Sequence, residues 1–131
     1  HGFLNYLVKV AVSGEIYSIF GYKGKQVRDQ IHSEDVVRAM DAFIQAPRSG
    51  QVYNMGGGRQ SNASVLECIQ KIEQHLKRKV NTVYVDDNRI GDHIWWISDV
   101  RRFQSHFPDW NYRYSIREIL NQIVEAQMER A

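Results

Sequence analysis

Arg28 and Arg89 are the residues in this chain best suited to chemistry, because each stands at the end of a strand-like run and beside glycine. Arg28 follows the loop Gly21-Tyr-Lys-Gly24 and lies between Val27 and Ile31, and Arg89 lies in the polar turn Asp86-Asp-Asn-Arg-Ile-Gly-Asp92. A guanidinium is permanently charged and presents five donors in a planar fork, the shape that phosphate and carboxylate oxygens accept. Two such forks match the charge of a diphosphate or a dicarboxylate. A surface pairing of Arg28 with Asp29 or another acid is the competing use of that side chain. Asp92 can orient Arg89 or accept a hydrogen bond from a sugar hydroxyl. Asp86, Asp87 and Asp92 could gather a magnesium ion, but Arg89 in the same turn would compete with the cation.

Other reactive types are scattered. The histidines His1, His32, His75, His93 and His106 pair neither with one another nor with Cys68 at a metal-ligand spacing. His32 and Ser33 are adjacent on an extended run, so they point to opposite faces, and a structural histidine is expected rather than a base with its nucleophile. Cys68 reads as a small buried residue. Gly56-Gly-Gly58 follows a strand-like run, yet Ser61 occupies the third glycine position of a dinucleotide turn, so a turn that sets the next helix is the expectation. Asn62, just before that helix, can cap it or reach a ligand.

The elements that must hold these residues follow from periodicity. Phe3, Leu4, Leu7, Val8 and Ala11 predict a helix over 3–13, stopped by Gly14. Ile16 to Phe20 predicts a strand, and Gln26 to His32 an extended run. Ser33 is expected to cap a helix whose Val36, Val37, Met40, Phe43 and Ile44 form an apolar face. Gln51 to Met55 predicts a second strand and Thr82 to Val85 a third. Ser64 with Glu67 and Ser115 with Glu118 are capping boxes. The first opens a helix with Leu66, Ile69, Ile72 and Leu76 inward, the second a terminal helix with Ile119, Leu120, Ile123 and Val124 inward. Ser98-Asp99 begins a short helix through Phe103 and Phe107 to Pro108, and Tyr112 with Tyr114 alternate as a strand fragment would. Interleaved strands and helices define an α/β arrangement.

The 131 residues, 43% hydrophobic and 24% charged, suit one folded unit or a piece of a larger one. A net charge of +2 and a longest basic tract of Lys77-Arg-Lys79 give no nucleic-acid surface. A non-catalytic or nucleic-acid-binding module is the reading from another class. The single cysteine excludes an internal disulfide and suits a reducing compartment. No apolar run is long enough to span a bilayer, so no membrane partner and a cytoplasmic location are expected. The start at His1-Gly-Phe-Leu4, without methionine, reads as the interior of a longer polypeptide.

The run Ile19-Phe-Gly-Tyr-Lys-Gly-Lys-Gln-Val-Arg-Asp-Gln-Ile-His-Ser-Glu-Asp35 resembles the I-Y-G-x-G-x-x-x-R-D-x-x-x-V-x-D segment of the extended short-chain dehydrogenase/reductases. These are the NAD-dependent sugar-nucleotide epimerases and dehydratases. Val52-Tyr-Asn-Met-Gly56 resembles that family's next strand and Arg89-Ile-Gly-Asp92 its R-x-G-D turn, so the resemblance runs through essentially the whole chain. The loop is one residue longer here, with Tyr22-Lys23 in place of a single residue.

The resemblance implies that Arg28 and Arg89 bind the nucleotide diphosphate, that Ile19 and Phe20 lie against the base, that Asp92 approaches the ribose, and that Asn62 falls near a substrate contact. It implies the C-terminal, substrate-binding portion of a Rossmann-type enzyme, with residues 1–131 as one fragment and the N-terminal NAD-binding part absent. NAD would serve the full-length enzyme, with none expected on this fragment. No catalytic residue is assigned, because the family's tyrosine precedes its lysine by four positions and Tyr6 with Lys9 misses by one. The implied partner is a nucleotide-diphosphate sugar. Gly24 to Asp29 and Arg89 to Asp99 look nearest to members that act on CDP-linked deoxyhexoses at C2, with UDP- or dTDP-sugar 4-epimerases and 4,6-dehydratases as alternatives. A homo-oligomer through an exposed helix face is compatible with either.

Overall fold

A computed structural model describes residues 2–131; His1 lies outside the described residues. Helix α1 (Phe3–Ser13) buries Leu4, Leu7, Val8 and Ala11 on one face, and ends where Gly14 turns left-handed and donates its N–H to the Val10 carbonyl at 3.1 Å. Strand β1 (Tyr17–Phe20) leads into a tight turn over Tyr22–Gly24, then β2 (Val27–Asp29) and helix α2 (Ser33–Gln45). After a turn at Gly58–Gln60 come β3 (Asn62–Ser64), α3 (Val65–Leu76), β4 (Thr82–Val85), β5 (Trp95–Trp96), α4 (Arg101–His106) and α5 (Ile116–Arg130).

The strands form two small sheets. β1 pairs in parallel with β4, Tyr17 opposite Thr82 through Phe20 opposite Val85. β2 is the centre of the other sheet, antiparallel to β3 and parallel to β5. α1, α3 and α5 close over the inner face of β1 in a core centred on Leu7, Val8, Ile72, Leu120 and Val124. A second, aromatic core gathers Phe103, Phe107 and Trp110 around Ala39 of α2.

Several expectations give way to tertiary contacts. Ser33 does not cap α2: His32 does, its Nδ1 accepting the Glu34 N–H at 3.0 Å while its Nε2 meets Gln122 Oε1 at 2.8 Å. His32 is thus a structural histidine, stacked on Tyr114 with ring centroids 3.9 Å apart. Residues 51–55 are not a strand, because among the described residues no backbone hydrogen bond joins them to a neighbouring segment to form a ladder. Tyr112 to Tyr114 is not a strand either. The buried Asp35 carboxylate takes the Arg113 and Tyr114 N–H groups at 3.0 and 3.3 Å, and Asn111 Oδ1 takes that of Tyr112 at 2.8 Å, so these donors are spent on side chains. Leu66 points outward, with Val65 and Cys68 taking its place beside Ile69 and Ile72. The short helix α4 begins at Arg101, after Asp99, and ends at His106, before Phe107 and Pro108. On α2, Val37, Met40 and Ile44 are exposed, and the residues it buries are Asp35 and Ala39.

Both capping boxes form as expected. Ser64 Oγ accepts the Glu67 N–H at 3.1 Å and Glu67 Oε2 accepts the Ser64 N–H at 2.7 Å; Ser115 and Glu118 repeat the exchange.

Two stability measurements test this frame. Asp35 also accepts from Arg38, so Asp35→Ala strands buried donors and should cost about 3 kcal/mol in chemical denaturation. The hydrogen bonds from Ser64 hold the Glu67 carboxyl below its ordinary value of 4.5. Because the folded value is the lower one, this contribution is complete above pH 4.5 and drains away as pH falls through the folded value. Ser64→Ala should cost about 1 kcal/mol near neutral pH and flatten part of the acid limb of a pH–stability curve.

Candidate functional site

The two parallel strands β1 and β4 end side by side, and their loops are locked together by a close approach. Gly21 donates its N–H to the Val85 carbonyl at 2.9 Å and has φ +65°; a Cβ there would lie 1.7 Å from Asn88 Oδ1, so only glycine fits. This contact fixes the turn after β4, and it places the Arg89 guanidinium 4.9 Å from the centre of the Phe20 ring. The longer loop is absorbed in a left-handed turn, with Tyr22, Lys23 and Gly24 all at positive φ. Its backbone is tied to the same region: the Lys23 N–H donates to Tyr84 Oη at 3.2 Å and Tyr22 Oη donates to the Asp92 carbonyl at 3.1 Å.

β5 then lays the chain after the turn along β2. The Val27 N–H donates to the Ile94 carbonyl at 2.9 Å and Arg28 stands opposite Trp96. Arg28 donates from Nη2 to Asp92 Oδ1 and from Nη1 to its neighbouring Val27 carbonyl at 2.7 Å. Asp92 therefore orients Arg28, not Arg89, and Arg28 does not pair with Asp29. Among the described residues no carboxylate pairs with Arg89, which leaves its fork to solvent or a ligand.

These contacts open a cavity of about 500 Å³ walled by Ile19, Phe20, Arg28, Arg89, Asp92 and Trp96, among others. Five of the six sequence-derived site residues thus meet around one space. Asn62 is not in its wall; its Nδ2 donates to the Gly58 and Arg59 carbonyls at 3.2 and 3.0 Å and so braces the turn before β3.

Sequence reasoning passed over three residues in the wall. Trp96 contributes a half-open indole, and the adjacent Trp95 faces a second cavity, as neighbours on a strand must. Gln26 is buried and donates from Nε2 to the Phe20 carbonyl at 3.0 Å. Asp29 Oδ2 accepts the Gly58 and Ser98 N–H groups at 3.0 and 2.9 Å, anchoring β2 to two loops. The signal available for the tryptophans was their adjacency, which on a strand sends the two rings to opposite faces; nothing local marks Gln26.

Residues 1–56 match the model of the NAD dependent epimerase/dehydratase family. The chain is 30% identical over 112 residues to the dTDP-glucose 4,6-dehydratase of Haemophilus influenzae, a match that covers 84% of this chain and 30% of that enzyme. Its fold is that of MoeE5 solved with UDP-glucuronic acid and NAD, at a TM-score of 0.84 and 32% identity, over 98% of this chain and 42% of that one. It matches equally the dTDP-glucose 4,6-dehydratase of Bacillus anthracis solved with NAD, at a TM-score of 0.81 and 25% identity, over 98% and 39%. The fold is therefore the α/β fold of Rossmann-type short-chain dehydrogenase epimerases and dehydratases, of which this chain spans about two fifths. The curated relative is spanned over less than a third of its length.

Other potentially reactive groups in the chain are committed elsewhere. Asp99 is held down at about 2 by hydrogen bonds from Arg101, and Tyr112 is pushed up to about 12 by burial and by Asp29 and Asp35, its hydroxyl donating to the Gly56 carbonyl at 2.6 Å. Burial pushes the Cys68 thiol up to about 12. Iodoacetamide at pH 8 should therefore label Cys68 only at the rate of global unfolding, and at once in denaturant. Fast labelling of folded protein, read by mass spectrometry, would show a thiolate that this packing does not allow.

Proposed function

We propose that this chain is the nucleotide-diphosphate-sugar-binding portion of an NAD-dependent sugar-nucleotide epimerase. The observation that carries the reading is the convergence of Arg28 and Arg89 on one cavity from segments 61 residues apart. Arg89 brings a fork without an acidic partner and a position against the flat face of Phe20; Arg28 brings a fork already aimed by Asp92. In this reading the diphosphate lies between the guanidinium groups. The nucleoside rests toward Ile19 and Phe20, where Asp92 can accept from a ribose hydroxyl, and the sugar extends toward Trp96.

The Gly56-Gly57-Gly58 turn does not fit NAD itself. The Gly56-Gly57-Gly58 backbone is packed rather than open: a Cβ on Gly57 would lie 2.1 Å from the Gln30 carbonyl oxygen and 2.3 Å from that of Ser61. The Gly58 N–H, which would have to meet a cofactor phosphate, is already taken by Asp29. NAD binding thus falls to the remainder of the full-length enzyme, and this chain's part is to hold and orient the sugar nucleotide.

Within this class, the runs Gly24 to Asp29 and Arg89 to Asp99 favour a CDP-linked deoxyhexose and the reaction of CDP-paratose 2-epimerase, inversion at C2 through a transient ketone. The matched relatives favour a second reading, a UDP- or dTDP-sugar 4-epimerase or 4,6-dehydratase. Titration calorimetry with CDP, UDP and dTDP separates them by which nucleotide binds tightest. Arg28→Ala and Arg89→Ala should each weaken that nucleotide by roughly ten- to a hundred-fold, the loss of one charge-assisted contact. Unchanged affinity in both variants would remove the diphosphate from this cavity.

A further inference from the structure

β5 stands between two cavities. Trp96 belongs to the wall of the candidate ligand cavity, while its neighbour Trp95 faces a second cavity of about 470 Å³. Trp96 packs against His93, with ring centroids 5.1 Å apart, whereas the Trp95 indole is 64% exposed and, among the described residues, lies against no other ring. A large flat side chain in the wall of a concave site leaves one face to be covered by a ligand of matching flatness.

The rest of that wall is polar and in large part uncommitted. Among the described residues, Arg59, Gln60 and Gln104 make no side-chain hydrogen bond and no ion pair, and Arg59 acts on Asp99 only at a distance. Asp99 itself is held in place, because Arg101 donates from Nε and Nη2 to its two oxygens at 2.9 and 2.7 Å. The backing is fixed as well: Tyr112 Oη donates to the Gly56 carbonyl at 2.6 Å, and a Cβ on Gly58 would lie 3.2 Å from that hydroxyl. An amide offers a donor and an acceptor side by side, and a pair of adjacent hydroxyls answers with the same pair reversed; a paired carboxylate keeps lone pairs for a hydroxyl proton. A pyranose carries hydroxyls around its whole edge and a face of C–H groups that lies on the negative face of an indole. A nucleobase could stack there too, but its polar groups lie in one plane, whereas the polar groups here come from the Gly58–Gln60 turn, from Asp99 and from α4. The unpaired Arg59 guanidinium adds a preference for an anion on that sugar ring.

We propose that this second cavity binds a pyranose bearing an anionic group, a carboxylate or a phosphate. The ring stacks on Trp95, Arg59 meets the anion, and Gln60, Gln104 and the Asp99–Arg101 pair take the hydroxyls. The site lies across β5 from Arg28 and Arg89, and it stands or falls without the diphosphate reading of their cavity.

Saturation-transfer NMR and titration calorimetry on the intact protein, made from its complete reading frame, test this with glucose, glucuronic acid, glucose 1-phosphate and cytidine. At least one of the two anionic sugars should bind in the millimolar range, about ten-fold more tightly than glucose, and the tighter of the two tells carboxylate from phosphate. Trp95→Ala should weaken every sugar by at least about ten-fold. Arg59→Gln should erase the preference for the anionic sugars and leave glucose in place; it lies on a different segment, so it decides the matter even where Trp95→Ala folds poorly. Arg89→Ala and Trp96→Ala, on the other side of β5, should leave the sugar affinities unchanged. No saturable binding of any sugar up to roughly 50 mM overturns the proposal, as does binding that both Trp95→Ala and Arg59→Gln leave intact. Sugar binding lost in Arg89→Ala also overturns it and places the sugar in the first cavity. Cytidine binding that depends on Trp95, with no sugar bound, overturns it in favour of a nucleobase.

Discussion

The pairing of Arg28 with Asp92 is the contact on which the arrangement of the cavity depends. It joins the central strand of one sheet to the turn that leaves the other, across 64 residues of chain, and both side chains are only about a quarter exposed. A partly buried guanidinium is stable only when its donors are met, and a partly buried carboxylate only when its oxygens are. Each therefore fixes the other, and the turn containing Arg89 is held at the distance that this pair sets. The result is one arginine engaged by a carboxylate and one that has no acidic partner among the described residues, at the same opening. That asymmetry suits capture of an anion: the free fork can meet it first, and the engaged fork already has its geometry.

Two further carboxylates act as substitutes for secondary structure. Asp29 receives N–H groups from Gly58 and Ser98, and Asp35 receives those of Arg113 and Tyr114. The sheets are small, two and three strands, and cannot by themselves bind the long connections to one another. A carboxylate with several backbone donors does this work at a single point, and for the buried Asp35 the cost of burial is offset by those charge-assisted bonds. Asp35 accordingly ties α2 to the aromatic core, where Trp110 Nε1 donates to the Asp35 carbonyl at 3.0 Å. The candidate cavity is thus bordered by segments that are rigid for electrostatic rather than hydrophobic reasons.

The molecule is uneven in how fully it is buried. α1, α3 and α5 enclose a core in which Leu7, Val8, Ile72 and Val124 are fully covered, whereas α2 buries little beyond Ala39 and the Asp35 carboxylate. The difference follows from what lies against each helix. The first three have one another and β1; α2 has the small aromatic cluster on one side and leaves Val37, Met40 and Ile44 exposed on the other. The free edge at residues 51–55 belongs to the same gap. The arginine wall of the cavity is therefore set by contacts within the chain, while its Met55 wall also borders the open groove beside α2.

The helices were legible because each carries its own evidence. Leu4, Leu7, Val8 and Ala11 define a face, Gly14 a stop, and Ser64 with Glu67 or Ser115 with Glu118 a start, all within a few residues. Such signals act through contacts between near neighbours and need no knowledge of the rest. The strand at Thr82–Val85 was equally plain, and the runs at 51–55 and 112–114 misled because a strand exists only beside another strand. The two guanidinium groups beside glycine were also visible locally. Which acid meets which arginine was not. Asp92 stands three residues from Arg89 and 64 from Arg28, and it pairs with the distant one. Parallel pairing of β2 with β5 carries it there, and β pairing is a long-range choice that no local pattern encodes. The sequence alone determined the residue types, the helices and the charge available for a ligand. Only the tertiary structure decided which of those charges face one another, because that depends on the register of strands brought together from opposite ends of the chain.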